Sequence, residues 1–511
     1  MTINNLAGAE YRGAAERLAL GKASLVWRKR IADTETPVSA ALKLIQPERG
    51  DFLLESVEGG ETRGRHSLIG LAPDLIFRAQ GDGAEINRKW QHDREAFERI
   101  DAPALTALRE LVGQCQMDDI PAELPSALAC LVGYFGYETV GLVEKLPRAP
   151  QSGLALPDML FVRPTVIIVF DRLKDEMFLV TPVWPDPVAS PDKQILAAAE
   201  RLDECERQLS APIITDCADS SAVDAGDIAL QPVLPPGTYG AMVGRAKEYI
   251  EAGDIFQVVL AQRFTAPFPL PPLSLYRALR RVNPSPFLYY LDLPGFAVIG
   301  SSPEILVRAR AGEVTVRPIA GTRPRGQSAA QDAANKASLL ADPKERAEHL
   351  MLLDLGRNDV GRVASPDSVT VTDSYMVEFY SHVMHIVSNV TGQLSPDKDA
   401  IDALFAGFPA GTVSGAPKVR ACEIIAELEN ETRGAYAGGV GYFSPNGDMD
   451  SCIVLRTGIL KDGTLHVQAG AGIVADSDPA YEQAECEAKA GALLAAAKEA
   501  VRVASQAGYG Q

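Results

Sequence analysis

The sequence has few cysteines and no long continuous run of apolar residues. Among 511 residues there are 7 cysteines, an odd number at irregular spacing, and none forms a Cys-x-x-Cys pair. Disulfides and structural zinc are therefore not expected. The longest apolar stretch of note, residues 165–170, is far too short to cross a bilayer. Residues 1–20 have mixed charges and no continuous apolar segment, so we predict no signal peptide and a cytoplasmic location.

Positive charge is also scarce. The chain has 49 Lys and Arg against 67 Asp and Glu, which gives a formal net charge of -18. Because such a surface repels polyanions, neither nucleic acid nor an anionic membrane is expected as a partner. A small anionic ligand would need local cations to overcome the same field. Hydrophobic content of 46% and charged content of 23% are typical of a folded protein, long enough for two to four domains or one large one.

The chain divides into two main regions joined by a linker. Residues 20–205 contain mixed strands and helices, residues 206–236 are rich in Ser, Asp, Ala and Pro, and residues 237–500 form the second region. Helices do not alternate regularly with strands. This pattern favours an α+β fold with large, mainly antiparallel sheets flanked by helices over a doubly wound parallel sheet. The sequence leaves open whether the two regions share one core.

Capping and periodicity signals predict the main elements. Asp342 and Asp478 are each followed by a proline, as at the start of a helix. Residues 162–170, interrupted by Pro164, are expected to form one or two buried strands. The other predicted helices are 239–252 and 414–428, and the other predicted strands are 52–57, 255–264, 287–291, 297–299, 314–319, 436–443, 452–460 and 465–468.

Acidic side chains follow both capped helix starts. Glu345 and Glu348 lie close on the first helix, and Glu482, Glu485 and Lys489 share a face of the last one. Charged helix faces are usually solvated, so a surface stripe is one interpretation of each. The other is a Mg²⁺ site with one glutamate from each helix, because Mg²⁺ takes few protein carboxylates and completes its shell with substrate and water.

Basic and glycine-rich segments lie between these helices. Arg456 falls inside the predicted strand 452–460, either at a sheet edge or facing inward, where its guanidinium could bind a carboxylate. Residues 470–475 formally fit a dinucleotide-binding pattern, but no second strand–helix unit follows. We therefore interpret the glycines as a backbone cradle for an anion. Tyr436 precedes Ala-Gly-Gly, where a ligand can approach the backbone.

Two further residues stay ambiguous from spacing alone. His385 lies in an apolar segment, where a hydrogen-bonded core histidine is the commoner explanation. A general acid or base needs a suitable pKa and a neighbouring partner, which a sequence does not show. Glu304 follows an apolar strand at a turn and is either a capping residue or a catalytic acid.

Several motifs, read in order, carry a resemblance to a known family. The match is strong over residues 235–495 and looser over 20–200. The chain resembles the chorismate-utilising enzymes, and within that family the large subunits (component I) of anthranilate synthases. The motifs are Leu53-Leu54-Glu55-Ser56, Asn283-Pro284-Ser285-Pro286, Pro318-Ile319-Ala320-Gly321-Thr322-Arg323-Pro324-Arg325-Gly326, Ala347-Glu348-His349-Leu350-Met351, Ser414-Gly415-Ala416-Pro417-Lys418-Val419-Arg420 and Gln468-Ala469-Gly470-Ala471-Gly472-Ile473.

The resemblance implies roles for particular residues. Glu348 and Glu485 match Mg²⁺ ligands, and Glu304 and His385 match residues at the reacting ring, which we assign to departure of the ring hydroxyl and to the later loss of pyruvate. The expected chorismate contacts are Gly321, Thr322, Tyr436, Arg456, Gly470, Ala471, Gly472 and Lys489. The expected tryptophan feedback pocket contains Ser56, Pro286, Phe287 and Leu288.

Two positions discriminate within the family. Aminodeoxychorismate synthases usually carry a lysine nucleophile where this chain has Ala320, and isochorismate and salicylate synthases use a lysine where it has Gln257. An amide cannot deprotonate water at neutral pH. The resemblance therefore implies amination of chorismate by ammonia with loss of pyruvate to give anthranilate, the first step of tryptophan biosynthesis. The alternatives are an aminodeoxychorismate synthase component I and a non-catalytic tryptophan- or nucleotide-binding regulatory protein.

The resemblance also implies partners. The chain has no Gly-x-Cys-x-Gly elbow for a fused glutaminase. A separate glutamine amidotransferase subunit (component II) is therefore expected to supply ammonia, in a heterotetramer of two large and two small subunits. L-Tryptophan is the expected inhibitor.

Overall fold

Two large antiparallel sheets form the frame of the protein. The computed structural model describes residues 9–58, 62–125, 127–150, 153–213, 228–380 and 383–505. The helices are α1 (Ala9–Ala19), α2 (Pro37–Leu44), α3 (Ala104–Gln114), α4 (Pro191–Leu209), α5 (Thr238–Glu251), α6 (Pro272–Val282), α7 (Ala329–Ala341), α8 (Pro343–Gly361), α9 (Ala400–Gly407), α10 (Lys418–Leu428) and α11 (Pro479–Ala504). The strands are β1 (Ser24–Ile31), β2 (Asp51–Glu58), β3 (Thr62–Leu71), β4 (Leu75–Gln80), β5 (Gly83–Asn87), β6 (Glu98–Ile100), β7 (Leu131–Phe135), β8 (Met159–Arg163), β9 (Val166–Asp171), β10 (Glu176–Val183), β11 (Gln231–Pro232), β12 (Gln257–Pro267), β13 (Phe287–Leu293), β14 (Phe296–Ser302), β15 (Ile305–Arg310), β16 (Glu313–Val316), β17 (Ile319–Pro324), β18 (Thr370–Phe379), β19 (Val383–Gln393), β20 (Gly415–Ala416), β21 (Gly439–Phe443), β22 (Met449–Ile453), β23 (Thr457–Lys461) and β24 (Thr464–Ile473).

Both sheets contain strands from both halves of the chain. The first has the order β1-β10-β9-β3-β2-β13-β14-β23-β24-β12-β11, with β20 also paired to β12. The second has the order β17-β19-β16-β15-β22-β21-β7-β8-β4-β5-β6, with β18 also paired to β19. The halves meet at the antiparallel pairs β2–β13 and β7–β21. The α+β fold with large antiparallel sheets is confirmed.

Alternation along the strands divides the core into layers. In β13, Tyr289 and Leu291 join a core that also contains Tyr134 of the second sheet, whereas Leu288 and Tyr290 join the core that contains residues of helix α6. This period of two is what an antiparallel strand buried on both faces requires. The sheets therefore pack face to face, and helices cover their outer faces.

The predicted linker is only partly described. Residues 206–209 complete helix α4, and β11 within the second part of the segment pairs with β12. Residues 214–227 lie outside the described residues. The division into regions at 20–205 and 237–500 stays a prediction, although hydrogen bonds join the two regions in both sheets.

Most capping and strand predictions agree with the structure. Asp342 caps α8 through the amides of Lys344 and Glu345, and Asp478 caps α11 in the same way. Pro164 separates β8 from β9, so residues 162–170 contribute to two strands. The described cysteines are all free and buried. No helix within the described ranges is long and apolar enough to span a membrane.

Three predicted elements are wrong for tertiary reasons. Residues 452–460 form parts of two strands in different sheets, and residues 314–319 are divided between β16 and β17. The helix predicted from residue 414 begins at Lys418, because Gly415 and Ala416 first pair with β12.

Candidate active site

The site forms where two neighbouring strands cross from one sheet to the other. Strand β14 of the first sheet continues through Glu304 into β15 of the second, and β22 of the second continues through Arg456 into β23 of the first. The two crossings are hydrogen-bonded together. The amide of Ser301 donates to the Arg456 carbonyl at 3.2 Å, and the amide of Ile453 donates to the Glu304 carbonyl at 3.0 Å. Residues 152 positions apart in the chain therefore share one site.

The backbone at the second crossing is in an uncommon conformation. Arg456 has φ of 49° and Ala437 has φ of 61°, both in the left-handed region that non-glycine residues rarely adopt. The Ala437 amide donates to the Val454 carbonyl at 3.1 Å, which ties the segment of Tyr436 to the crossing. Such conformations cost free energy and persist where the surrounding structure imposes them. Here they hold the segments of Arg456 and Tyr436 together at the wall of one cavity.

The Glu304 carboxyl is held in a form suited to proton donation. Its side chain is 8% exposed, and burial raises its pKa to about 8, against the lowering effects of the Thr412 hydrogen bond and the Arg456 charge. Thr412 donates from Oγ1 to Oε1 of Glu304 at 3.1 Å. The carboxyl is therefore largely protonated at neutral pH.

His385 is a neutral imidazole with a defined tautomer. It pairs with Thr322 in the β17–β19 ladder, and its Nδ1 lies 3.1 Å from the Gly321 carbonyl oxygen. Because a carbonyl only accepts, Nδ1 carries the hydrogen and donates it, which leaves Nε2 with a free lone pair. Burial lowers the His385 pKa to about 4. The residue can act as a base at neutral pH.

The glycines interpreted as an anion cradle lie in a strand. Gly470, Ala471 and Gly472 are in β24, opposite Ala261, Leu260 and Val259 of β12. Pairing of β24 with β23 covers residues 464–467 and ends at Val467, so among the described strands only β12 pairs with these three residues. Their other edge is available to the cavity. Lys489 donates to the Gly470 carbonyl oxygen at 2.8 Å.

The two candidate metal ligands come from separate helices. Glu348 on α8 and Glu485 on α11 line the same cavity, and the Glu485 charge contributes to a raised pKa at Glu348, whose largest cause is burial. Lys489 forms an ion pair with Glu485 at 2.7 Å. Within the described residues, no group of three or more His, Cys, Asp or Glu is arranged to hold a metal ion.

The strand crossings, strand β24 and the two helices surround one cavity of ≈ 1750 Å³. The predicted residues that line it are Glu304, Gly321, Thr322, Glu348, His385, Tyr436, Arg456, Gly470, Gly472, Glu485 and Lys489. Ala471 is fully buried and points to the opposite face of β24. Predicted catalytic, substrate and metal residues are thus brought together in one place.

A second cavity of ≈ 730 Å³ contains the residues predicted to bind tryptophan. Ser56, Pro286, Phe287 and Leu288 all line it. Phe287 lies between Ser56 of β2 and Ser302 of β14, which is two residues from Glu304. Adjacent Glu55 is buried and accepts hydrogen bonds from Arg280 and Tyr276, as well as from Arg172. The wall of this second cavity therefore continues directly into the first.

Sequence reasoning missed Thr412 and Gln257, which line the first cavity, and Tyr380, which lines the second and contacts His385. Thr412 stands two positions before the Ser414–Gly415–Ala416 motif but carried no signal of its own. Tyr380 packs on His385 with ring centroids 5.3 Å apart and donates to Glu378 at 3.2 Å. Gln257, considered only for its inability to activate water, lines the cavity and has a lowering effect on the pKa of Glu348. The Thr412 hydroxyl bonds to Glu304, 108 residues away in the chain, so no local pattern could reveal that contact.

Comparison with known families identifies the class of protein. Residues 52–495 match the model of the chorismate binding enzymes. The chain therefore belongs to the chorismate binding enzyme family.

Individual relatives are more specific. Proteins named anthranilate synthase component 1 include one from Cereibacter sphaeroides, 50% identical over 494 residues and covering 96% of this chain and 97% of the relative. Another, from Pseudomonas putida, is 46% identical over 476 residues, with coverage of 91% and 93%.

Solved structures agree on the fold. The anthranilate synthase component I from Streptococcus pneumoniae superposes with a TM-score of 0.74 at 35% identity, covering 91% of this chain and 99% of that one. The menaquinone-specific isochorismate synthase from Escherichia coli gives 0.69 at 18% identity, with coverage of 96% and 100%. At that identity the second likeness concerns the fold alone.

Proposed function

We propose that the protein is the large subunit of an anthranilate synthase, which aminates chorismate with ammonia and eliminates pyruvate to give anthranilate. The observation that carries this proposal is one cavity with two carboxylates on separate helices and a guanidinium on the strand crossing. Similarity to relatives named anthranilate synthase component 1 supports the assignment. The activity would be the first step of tryptophan biosynthesis.

Arg456 and the free edge of β24 fit the carboxylates of chorismate. The guanidinium lines the cavity, where burial lowers its pKa and the Glu304 and Tyr380 neighbours raise it. A guanidinium can bind a carboxylate through two parallel hydrogen bonds. In our proposal Arg456, Tyr436 and the amides of Gly470 and Gly472 hold the enolpyruvyl carboxylate, with Gly321 and Thr322 on the opposite wall.

The donor set at the helices fits Mg²⁺. Glu348 is half-buried with Lys344 as a neighbouring cation, and Glu485 pairs with Lys489 at 2.7 Å. Two carboxylates facing one cavity suit a hard divalent ion that takes its remaining ligands from substrate and water. Glu348 and Glu485 would hold it. When bound, Mg²⁺ would neutralise the ring carboxylate of chorismate and polarise the ring toward substitution.

Glu304 and His385 suit two successive proton transfers. In the first, the ammonia lone pair forms the C–N bond, both ring double bonds shift by one position, and the C–O bond to the ring hydroxyl breaks as it leaves as water with a proton from Glu304. The new nitrogen then releases one proton to solvent, and Glu304 is reprotonated. In the second, Nε2 of His385 takes the proton from the ring carbon that bears the new nitrogen as the ring C–O bond to the enolpyruvyl group breaks, and the ring becomes aromatic. The departing enolpyruvate takes a proton from solvent on its methylene carbon and becomes pyruvate.

The nucleophile and its source follow from the same site. Ala320 and Gln257 provide no amine for direct attack or for activation of water. Free ammonia is scarce near neutral pH, so we propose a glutamine amidotransferase partner, consistent with the component 1 names of the relatives. A heterotetramer and a cytoplasmic location remain predictions from the sequence.

The decisive experiment is an assay of the purified protein with chorismate, Mg²⁺ and ammonium at alkaline pH. We expect the fluorescence of anthranilate to appear in proportion to ammonia. Formation of aminodeoxychorismate would instead support the aminodeoxychorismate synthase alternative. Absence of any reaction would support a non-catalytic regulatory protein.

Tryptophan inhibition is proposed for the second cavity, and Ser56→Phe tests it. The larger side chain would fill space that the ligand needs, so we expect the tryptophan concentration for half-inhibition to rise by at least about tenfold while uninhibited turnover persists. Ser56→Ala, which removes only the hydroxyl, is the matched control with a smaller effect. Unchanged inhibition in Ser56→Phe would show that tryptophan binds elsewhere.

A further inference from the structure

A set of buried contacts holds helix α8 against strands β18 and β19, beside the glutamate that faces the first cavity. His349 of α8 is 0% exposed, and its Nε2 lies 2.6 Å from the Oγ of Ser388 in β19, which is equally buried. The same Oγ accepts a hydrogen bond from the amide of Tyr375 in β18 at 3.1 Å. The Tyr375 ring packs edge-on against His349, with ring centroids 4.8 Å apart. We call Ser388, Tyr375 and His349 the α8 clamp.

Tyr375 also holds the preceding residues of α8. Its hydroxyl donates to the Arg346 carbonyl oxygen at 3.3 Å, and the Arg346 guanidinium lies over its ring, 4.8 Å from the ring centroid. Glu348 stands two positions after Arg346 and one before His349. The clamp therefore contacts α8 on both sides of Glu348 in the sequence.

Two energetically costly features coincide at the clamp. Tyr375 has φ of 54°, a left-handed conformation that bulky side chains rarely adopt, where the β18–β19 register shifts between Asp373 and Met376. Nδ1 of His349 is buried and has no hydrogen-bond partner among the described residues. Strained backbone and unsatisfied buried atoms persist where the surrounding structure imposes them, and they cluster at functional sites. They indicate a role other than stability for these residues.

Helix geometry links the clamp to the glutamate. Successive residues are about 100° apart around a helix axis, so the inward direction of His349 sets the direction in which Glu348 leaves α8. The end of a side chain lies about 6 Å from the axis, and a rotation of about 10° would move it by about 1 Å. Mg²⁺ requires near-octahedral oxygen ligands at about 2.0–2.1 Å. Resting on the proposed function, we propose that the α8 clamp positions Glu348 for the divalent cation.

Binding of Mg²⁺ by calorimetric titration tests this positioning role, with chorismate present and ammonia withheld so that no turnover occurs. Ser388→Ala removes the Oγ that joins His349 to the Tyr375 amide. Tyr375→Gly removes the ring, and glycine accepts the positive φ. In both variants we expect the Kd for Mg²⁺ to rise by about tenfold or more, as when residues that orient a metal ligand are replaced. Tyr375→Phe keeps the ring contact and should raise the Kd by about threefold at most.

Turnover distinguishes positioning from general damage. At saturating Mg²⁺ the variants should recover most of the wild-type kcat, because excess metal compensates for a weaker site. A protein that is merely destabilised would lose turnover at every Mg²⁺ concentration. Asp367→Gly is the matched control, because Asp367 is exposed in the turn before β18 and has φ of 63°. Glycine there relieves similar strain outside the clamp, so the Kd for Mg²⁺ should not change.

Three outcomes would contradict the inference in different ways. A wild-type Kd for Mg²⁺ in Ser388→Ala, shown by thermal melting to be folded, would overturn it, and this variant decides if Tyr375→Gly does not fold. A loss of kcat that saturating Mg²⁺ does not restore would leave the clamp a structural role only. Formation of anthranilate by the wild-type protein with no Mg²⁺ requirement would instead refute the proposed metal site on which the inference rests.

Discussion

Glu348→Ala is expected to lower Mg²⁺-dependent turnover by about a thousandfold or more while the protein still folds. Burial, then the charges of Glu345 and Glu485, raise the pKa of Glu348. Metal coordination contributes several kcal/mol of transition-state stabilisation, and about 4 kcal/mol corresponds to a thousandfold in rate. The same substitution removes a half-buried charge, so the melting temperature should not fall. Turnover is measured against Mg²⁺ concentration.

The two glutamates should behave alike. Glu485→Ala is expected to produce a similar loss of turnover. Glu348→Gln keeps the shape of the side chain but removes its negative charge, so we expect a partial loss of turnover and a higher Mg²⁺ requirement. Glu487→Ala is the control, because Glu487 is exposed on α11 two residues beyond Glu485. Normal turnover in either alanine variant, with normal Mg²⁺ dependence, would remove the metal assignment.

Local signals predicted the helices that carry these two glutamates, whereas the points where strands cross between the sheets were not predicted. Asp342 and Asp478 with their following prolines set both helix starts, because capping depends on residues within one turn. The break between Ile453 and Thr457 has no such signal. It arises because β22 and β23 join different sheets, a tertiary requirement that alternation in an apolar run does not encode.

The resemblance to the chorismate-utilising enzymes indicated roles for residues that hydrophobic periodicity left ambiguous. From spacing alone, Glu304 and His385 were ambiguous and Arg456 was equally a sheet-edge residue. The motifs pointed to all three, and the structure brings them to one cavity. The partners that set their chemistry, Thr412 beside Glu304 and the Gly321 carbonyl beside His385, lie 108 and 64 residues away and were not predicted.

Glu304→Gln should lower kcat by about a hundredfold or more and abolish the alkaline limb of the pH profile. General acid catalysis typically contributes factors of 10² to 10⁴. Burial raises the Glu304 pKa to about 8. The protonated form is the donor, so the rate expressed per unit of unprotonated ammonia should fall as pH rises through about 8. Because the pKa of His385 is about 4, that base stays neutral throughout.

Thr412→Val tests whether Glu304 is the group that titrates near pH 8. A substitution with only a structural effect would not shift the pH profile in a defined direction. The threonine hydroxyl stabilises the ionised carboxylate and lowers its pKa, so removing the hydroxyl should raise the pKa and move the alkaline limb to higher pH. Valine has nearly the same shape, so the loss of kcat below pH 7 should be small. A limb that stays near pH 8 in both Thr412→Val and Glu304→Gln would assign the titration to another group and remove Glu304 as the acid.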